Sequence, residues 1–414
     1  MTTVPQLEDF TDEFDPFTAL MTRGGEGHVA DPYPELARLR QVGPVHELDL
    51  QALFGVPTHM QIGDRPNFMV LGWDEVNHVL ETPEIFTNNI YEDTLGITFG
   101  KTITAMDPPE HTAYRKLIQS AFTPKILNSY RPMFQAVIDR LIDAFVDRGH
   151  ADLVKEFALH FPFQFIMDLM AMDMEQRPTY HRIAIAQTCM FFDEEHAVQA
   201  SGMLGTFLDQ LVNQRRKLND DSDFVSLIAN AEVEGEKLPQ DVVVSFFRQL
   251  MNAGGDTSYH GFSNTLTALL THPEQLDMLR EDRALIPRAI DEALRWNGPL
   301  VAIQRGTSRD TELAGVKIPR GAYINVCIGA ANRDEKEFPE PDRFDIARKP
   351  HRHVAMGFGP HICIGQHLAR MELVMALNTL LDRLPNLQLD PDKPAPEIRG
   401  LSMRGAEHAH VVFD

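Results

Sequence analysis

The segment Gly357-Phe358-Gly359-Pro360-His361-Ile362-Cys363-Ile364-Gly365 puts a cysteine on a glycine-rich loop, directly before the helical run Gln366 to Leu384. Glycines let the backbone approach a flat ligand closely, while amide N–H groups and the dipole at a helix N-terminus favour a thiolate. A thiolate held in a partly enclosed place of this kind is a metal ligand. The remaining cysteines, Cys189 and Cys327, lie far away and no C-x-x-C pair occurs. That pattern argues against a disulfide scaffold and against a thiolate zinc site.

Three further segments carry reactive groups. Asp107-Pro108-Pro109-Glu110-His111-Thr112-Ala113-Tyr114-Arg115 has prolines and acids at a helix start, then His111 and Arg115 one turn apart, where both can face one anion. Ala253-Gly254-Gly255-Asp256-Thr257-Ser258 lies inside a long helical pattern, where two glycines cost roughly 1 kcal/mol each relative to alanine. Either a packing contact requires them, or the helix opens locally and leaves a carbonyl and the Thr257 hydroxyl free to hold water beside a ligand. Glu292 and Arg295 stand at i and i+3 on one helical face. Alone, such a pair is a solvated contact worth a few tenths of a kcal/mol.

Taken together these segments resemble the cytochrome P450 family of haem-thiolate monooxygenases, whose cysteine loop reads F-G-x-G-x-H-x-C-x-G. This chain departs from it at Met356, where the family has the leading Phe. The resemblance implies haem b ligated through its iron by Cys363, with His111, Arg115, Arg305 and His361 holding the propionates. It implies that Asp256 and Thr257 relay protons to O2, the co-substrate. By the same likeness, Pro341-Asp342-Arg343-Phe344 matches the family's P-x-R-F segment, so that Arg343 would join Glu292 and Arg295 in a buried structural network.

The implied fold is mainly α with a minor β-rich region, a triangular prism. The implied reaction inserts one oxygen atom from O2 into a small-to-medium apolar substrate such as a terpenoid, steroid or aromatic. No flavin or iron-sulfur segment is evident, so electrons are expected from a ferredoxin and a ferredoxin reductase. Their expected docking face is the basic cluster Arg348, Lys349, His351, Arg352 and His353 with Lys116 and Arg370, since opposite charge steers encounter. The substrate pocket is expected to draw on residues 90–99, 183–192, 301–303 and 401–403, with Tyr91, Leu95, Ala253, Val301, Ile303 and Met403 lining it. Asn89 and Tyr91 could orient a polar group of the substrate. A peroxide-driven peroxygenase is disfavoured by the acid-alcohol pair; a non-enzymatic haem protein for electron transfer or gas sensing is the other alternative.

The elements that must position these groups are mostly helical. Phe134, Val137, Ile138, Leu141, Ile142 and Phe145 follow i, i+3, i+4, i+7, i+8, i+11 and predict an amphipathic helix ending at Gly149. Helices are also predicted over 241–272, 274–298 and 367–384, and near Tyr33 to Gln41. Strands are predicted at 68–72, 313–318 and 322–328, the last two joined by a turn at Pro319-Arg320-Gly321. No repeat or linker divides the chain, so one unit over 1–414 is expected, with an arm and small sheet region to about residue 80 and a helical body over 81–414.

Composition bounds the partners. Among 414 residues, 38 basic against 60 acidic side chains leave a formal charge of −22, which repels phosphate backbones and anionic lipid surfaces. Neither nucleic acid nor membrane is an expected partner. The acidic start, MTTVPQLEDFTDEFDPF, lacks the basic and apolar regions of a secretion signal, so a cytoplasmic location is expected.

Overall fold

The computed structural model describes residues 5–23, 26–57, 62–191, 193–233 and 235–414. The apolar stripe beginning at Phe134 forms the helix Arg131–Asp143 and a following 3-10 turn, Val146–Arg148. Phe134, Val137, Ile138, Ile142 and Phe145 are buried in the largest apolar cluster. The chain leaves through Gly149 at φ 69°, a left-handed conformation natural to glycine. Residues 240–271 form one continuous helix in three parts: α over Gln240–Leu250, a π segment over Met251–Asp256, and α over Thr257–Thr271. The helix therefore does open at the glycine pair, by widening rather than breaking.

Two expectations about the elements are corrected. Residues 274–298 form two helices, Pro273–Glu281 and Ile286–Asn297, because Pro287 is tolerated only in a first turn and Asp282 caps the turn between them by accepting the Ala284 N–H at 2.9 Å. Residues 311–318 are themselves a hairpin, Thr311–Leu313 against Val316–Ile318, turning through Ala314 and Gly315 at φ 48° and 83°. Tyr323–Val326 joins a different sheet, so Pro319-Arg320-Gly321 is a connection between sheets and not a hairpin turn.

That sheet has five strands in the order Val45–His46, Asn67–Val70, Tyr323–Val326, Ile303–Thr307, Phe86–Thr87. Tyr323–Val326 is buried along its length, parallel to Asn67–Val70 and antiparallel to Ile303–Thr307, with Ile324 opposite Arg305. The sheet thus binds the N-terminal region to the strand that carries Arg305. Helix predominates over strand throughout, as the mainly α reading requires.

Candidate active site

The cysteine loop is shaped by glycine at two positions. Gly357 and Gly359 adopt φ 72° and 70°, and a Cβ at Gly359 would collide with the Leu80 carbonyl oxygen. A 3-10 turn over Gly359–His361 follows. The Cys363 N–H then donates to the Met356 carbonyl at 2.8 Å, closing the loop just before the helix Gln366–Arg383. The position where the family has Phe thus serves the loop through its backbone. Cys363 lies deep in the molecule while its own surface is uncovered, so its sulfur faces an internal void. Burial raises the pKa of the thiol; the Gly365 N–H and the positive charges of Arg115 and Arg370 oppose this only in part. A metal ion bound at this sulfur would favour the thiolate and offset the effect of burial.

Four donors from three separate segments converge beside the loop. His111 and Arg115 sit on the helix Glu110–Gln119, Arg305 on the strand Ile303–Thr307, and His361 on the loop itself. The His111 and His361 rings lie 3.9 Å apart, and Arg115 donates to the Ile362 carbonyl at 2.5 Å. Arg305 is only 3% exposed, donates from Nη1 to the Gln304 carbonyl at 2.7 Å and forms no ion pair among the described residues. Burial, followed by the charges of Arg115 and Arg305, lowers the pKa of His111 to about 4; His361 is lowered to about 2 by burial and by His111, Arg305 and Arg115. Desolvated cations and donors without a carboxylate are costly unless an anion completes them. Both nitrogens of His111 and Nε2 of His361 are buried without a hydrogen-bond partner, which is what two propionate carboxylates would satisfy. The residues present fit haem. A cavity of about 530 Å3 opens against His111, Arg115, Lys116 and Pro360.

On the long helix, Ala253 is exposed although it lies mid-helix beside buried Asn252, so it too borders an internal void. The Thr257 hydroxyl donates back to the Ala253 carbonyl at 2.6 Å. Asp256 is buried and stands 3.4 Å from His260 Nε2. Ser258 donates to Glu372, a buried carboxyl on the helix that begins just after Cys363, and so ties the two helices together. Glycine at 254 and 255 also has a packing cause. A Cβ would lie 2.7 Å from Ile166 Cδ1 at the first and 2.5 Å from the Phe163 ring at the second, both on the helix Phe161–Leu169 that crosses the π segment.

The supporting network contains a different arginine from the one expected. Arg295 binds Glu292 through Nε and Nη2, at 2.8 and 2.9 Å, and both are buried. Arg343 contributes only its carbonyl, which accepts from Arg295 at 3.3 Å, while its guanidinium is exposed beside Glu340 and Asp345. The third charged partner is Arg348, whose Nε donates to Glu292 at 3.1 Å. The sequence marks it only by its place five residues past Arg343. Arg348 is therefore unavailable to the basic docking cluster. His351 is paired with Glu337, Arg370 and His353 with Asp291, and Arg352 bonds Asn77 and lies 3.9 Å over Phe358.

The expected pocket residues fare unevenly. Ala253 is exposed, and Leu95, Ile303 and Met403 are half-buried. Val301 has no accessible surface; it packs with Tyr33, Leu36 and Leu401, so it lines no pocket in this structure. Tyr91 is buried and its hydroxyl is engaged, accepting from the Gln304 N–H at 2.9 Å. It braces the strand of Arg305. Asn89 accepts from Thr87, and Phe192 lies outside the described residues.

The sequence model of the family described as Cytochrome P450 matches residues 178–405. Cytochrome P450 monooxygenase PikC of Streptomyces venezuelae is 32% identical over 391 residues, 91% of each chain. Vitamin D(3) 25-hydroxylase of Pseudonocardia autotrophica is 32% identical over 388 residues, 90% of this chain and 92% of that protein. CYP109E1 from Bacillus megaterium, solved in complex with testosterone, is similar with a TM-score of 0.81 at 26% identity, covering 93% of this chain and 99% of that one. Similarity over nearly the whole length, on the same architecture, means that this chain belongs to the cytochrome P450 family of monooxygenases.

Proposed function

We propose that this protein inserts one oxygen atom from O2 into a compact apolar substrate of steroid, terpenoid or aromatic type, with haem b held by Cys363. The observation that carries the proposal is the uncovered Cys363 sulfur facing a void beside four donors that lack an anion. Bound there, haem supplies the redox chemistry that activates O2. His111, Arg115, Arg305 and His361 would hold its two carboxylates and fix its orientation.

The chain's own part in the reaction is to deliver protons. The Thr257 hydroxyl, just after the π segment, and the Ala253 carbonyl within it lie 2.6 Å apart and can exchange their mutual hydrogen bond for bonds to a water in the void. Asp256 is buried one residue away and bordered by His260, so it can take up a proton and pass it inward. This acid-alcohol pair favours an O2-dependent monooxygenase over a peroxide-driven peroxygenase.

Electrons would come from an acidic ferredoxin and its reductase. Lys116 and Lys349 are exposed and form no ion pair among the described residues, whereas Arg348 is engaged by Glu292 and Arg352 by Asn77. Reversing both lysines should slow reduction by ferredoxin most at low salt. No helix of the described residues is long and apolar enough to cross a membrane, and a cytoplasmic setting supplies the reductant.

The test is spectroscopic and kinetic. The reduced CO complex of the wild type should show the red-shifted Soret band of thiolate ligation, and Cys363→Ser should lose it. With one substrate that shifts the haem spin state, Thr257→Ala should consume reductant while releasing peroxide in place of product, and Asp256→Asn should turn over more slowly. Retention of the band in Cys363→Ser, or wild-type coupling in Thr257→Ala together with a wild-type rate in Asp256→Asn, would refute the assignment.

A further inference from the structure

The C-terminal run Glu407-His408-Ala409-His410 places two imidazoles two residues apart, and alternation along extended chain sends such a pair to the same face. His410 opens the strand His410–Val412, which runs antiparallel to His150–Asp152 with His410 directly opposite Asp152. The register therefore brings a carboxylate and two imidazoles together. His408 Nδ1 lies 2.6 Å and His410 Nδ1 4.0 Å from Asp152 Oδ2, and the two rings stack at 5.2 Å with planes 16° apart. One ligand atom from each residue lies within 4.8 Å of the others.

Asp152 is already oriented for this role. Its Oδ1 accepts the N–H groups of Val154, Lys155 and Ala409 at 3.1, 3.3 and 3.0 Å, leaving Oδ2 to the imidazoles. Backbone donors on one oxygen fix the carboxylate before any ion arrives, as the outer partners of metal ligands do. The three residues are half-buried, exposed and half-buried in turn, so the site has a protein floor and an open side for water. Two imidazoles and one carboxylate suit a borderline divalent ion such as Zn2+.

We propose that Asp152, His408 and His410 form a divalent transition-metal site, separate from the haem site, that clamps the C-terminal strand to residues 150–152. Asp152 accepts from Val154, the first residue of the π-helix Val154–Ala158, whose Phe157 ring lies 5.9 Å from Phe262 on the helix that bears Thr257.

The experiment uses the haem-loaded full chain without an affinity tag. Titration with zinc chloride in a calorimeter should show one equivalent bound, with His410→Ala weakening the affinity about tenfold or more. Zinc should raise the melting temperature of the wild type but not of the variant. One equivalent of Cu2+ should show coupling to two imidazole nitrogens by electron paramagnetic resonance, and to one in His408→Ala. His408 is exposed beyond the strand end, so that variant carries the test even if His410→Ala fails to fold. Absence of stoichiometric zinc binding to the wild type, or unchanged affinity in the variants, would mean that the three residues form an ordinary ion pair.

Discussion

The His111 and His361 rings lie 3.9 Å apart, tilted by 32°, and three of their four ring nitrogens are buried without a hydrogen-bond partner. Two neutral imidazoles beside two arginines make an anion site in which the imidazole N–H groups are left to the ligand. Each hydrogen bond to a charged group is worth roughly 1.5–3 kcal/mol. His361→Ala should therefore speed transfer of haem to an excess of apomyoglobin by about tenfold or more, with little loss of stability in the haem-free protein.

The same pair sets an acid sensitivity. The pKa of His111 is lowered to about 4 from the ordinary 6.5, so between those values the unfolded chain binds a proton that the folded chain does not. The contribution of this residue to the stability of the haem-free protein is full above pH 6.5 and declines as pH falls toward 4. His111→Gln should flatten that decline in urea titrations across the window. A slope equal to that of the wild type would show that other groups dominate.

Arg348 and Arg343 exchange the roles that the motif suggests. Arg348 also donates to the carbonyls of Pro339, Glu340 and Arg343, at 2.6, 3.0 and 3.0 Å. Arg348→Ala should cost about 2 kcal/mol in denaturant unfolding, whereas Arg343→Ala, which removes an exposed pair, should change stability by less than about 0.5 kcal/mol.

Gly254 and Gly255 should respond differently to alanine. At Gly255 the new methyl meets the buried Phe163 ring, which has no room to retreat, and overpacking should cost about 1–3 kcal/mol. At Gly254 it meets the flexible end of Ile166, and a helix-propensity gain of roughly 1 kcal/mol offsets the shift. Thermal unfolding of the two variants in parallel measures the contrast.

Glu372 is a buried carboxyl whose pKa burial raises to about 8, opposed only by the Ser258 hydroxyl. From its ordinary 4.5 up to that value, the folded chain keeps a proton that the unfolded chain releases, so this residue's contribution falls as pH rises. The melting temperature of Glu372→Gln should match that of the wild type near pH 4.5 and exceed it increasingly toward pH 8.

Local spacing by itself determined the cysteine loop, the stripe from Phe134 to Phe145 and the long helix with its glycine pair. Glycine at a left-handed turn, apolar residues at helical period and a proline after the last turn act within a few residues of themselves. Pro287 acts in the same local way and divides 274–298 into two helices. What only the tertiary structure decided depends on segments far apart in the chain. Arg115 reaches a carbonyl 247 positions away, and whether Arg343 or Arg348 turns inward follows from how their loop packs on the helix of Glu292. Val301 and Tyr91 carry apolar surface suited to a pocket, yet packing against Tyr33 and Leu36 buries one in the core and the other is bonded to Gln304. The Asp152, His408 and His410 cluster arises from strand pairing, because neither segment alone holds both the carboxylate and the imidazoles.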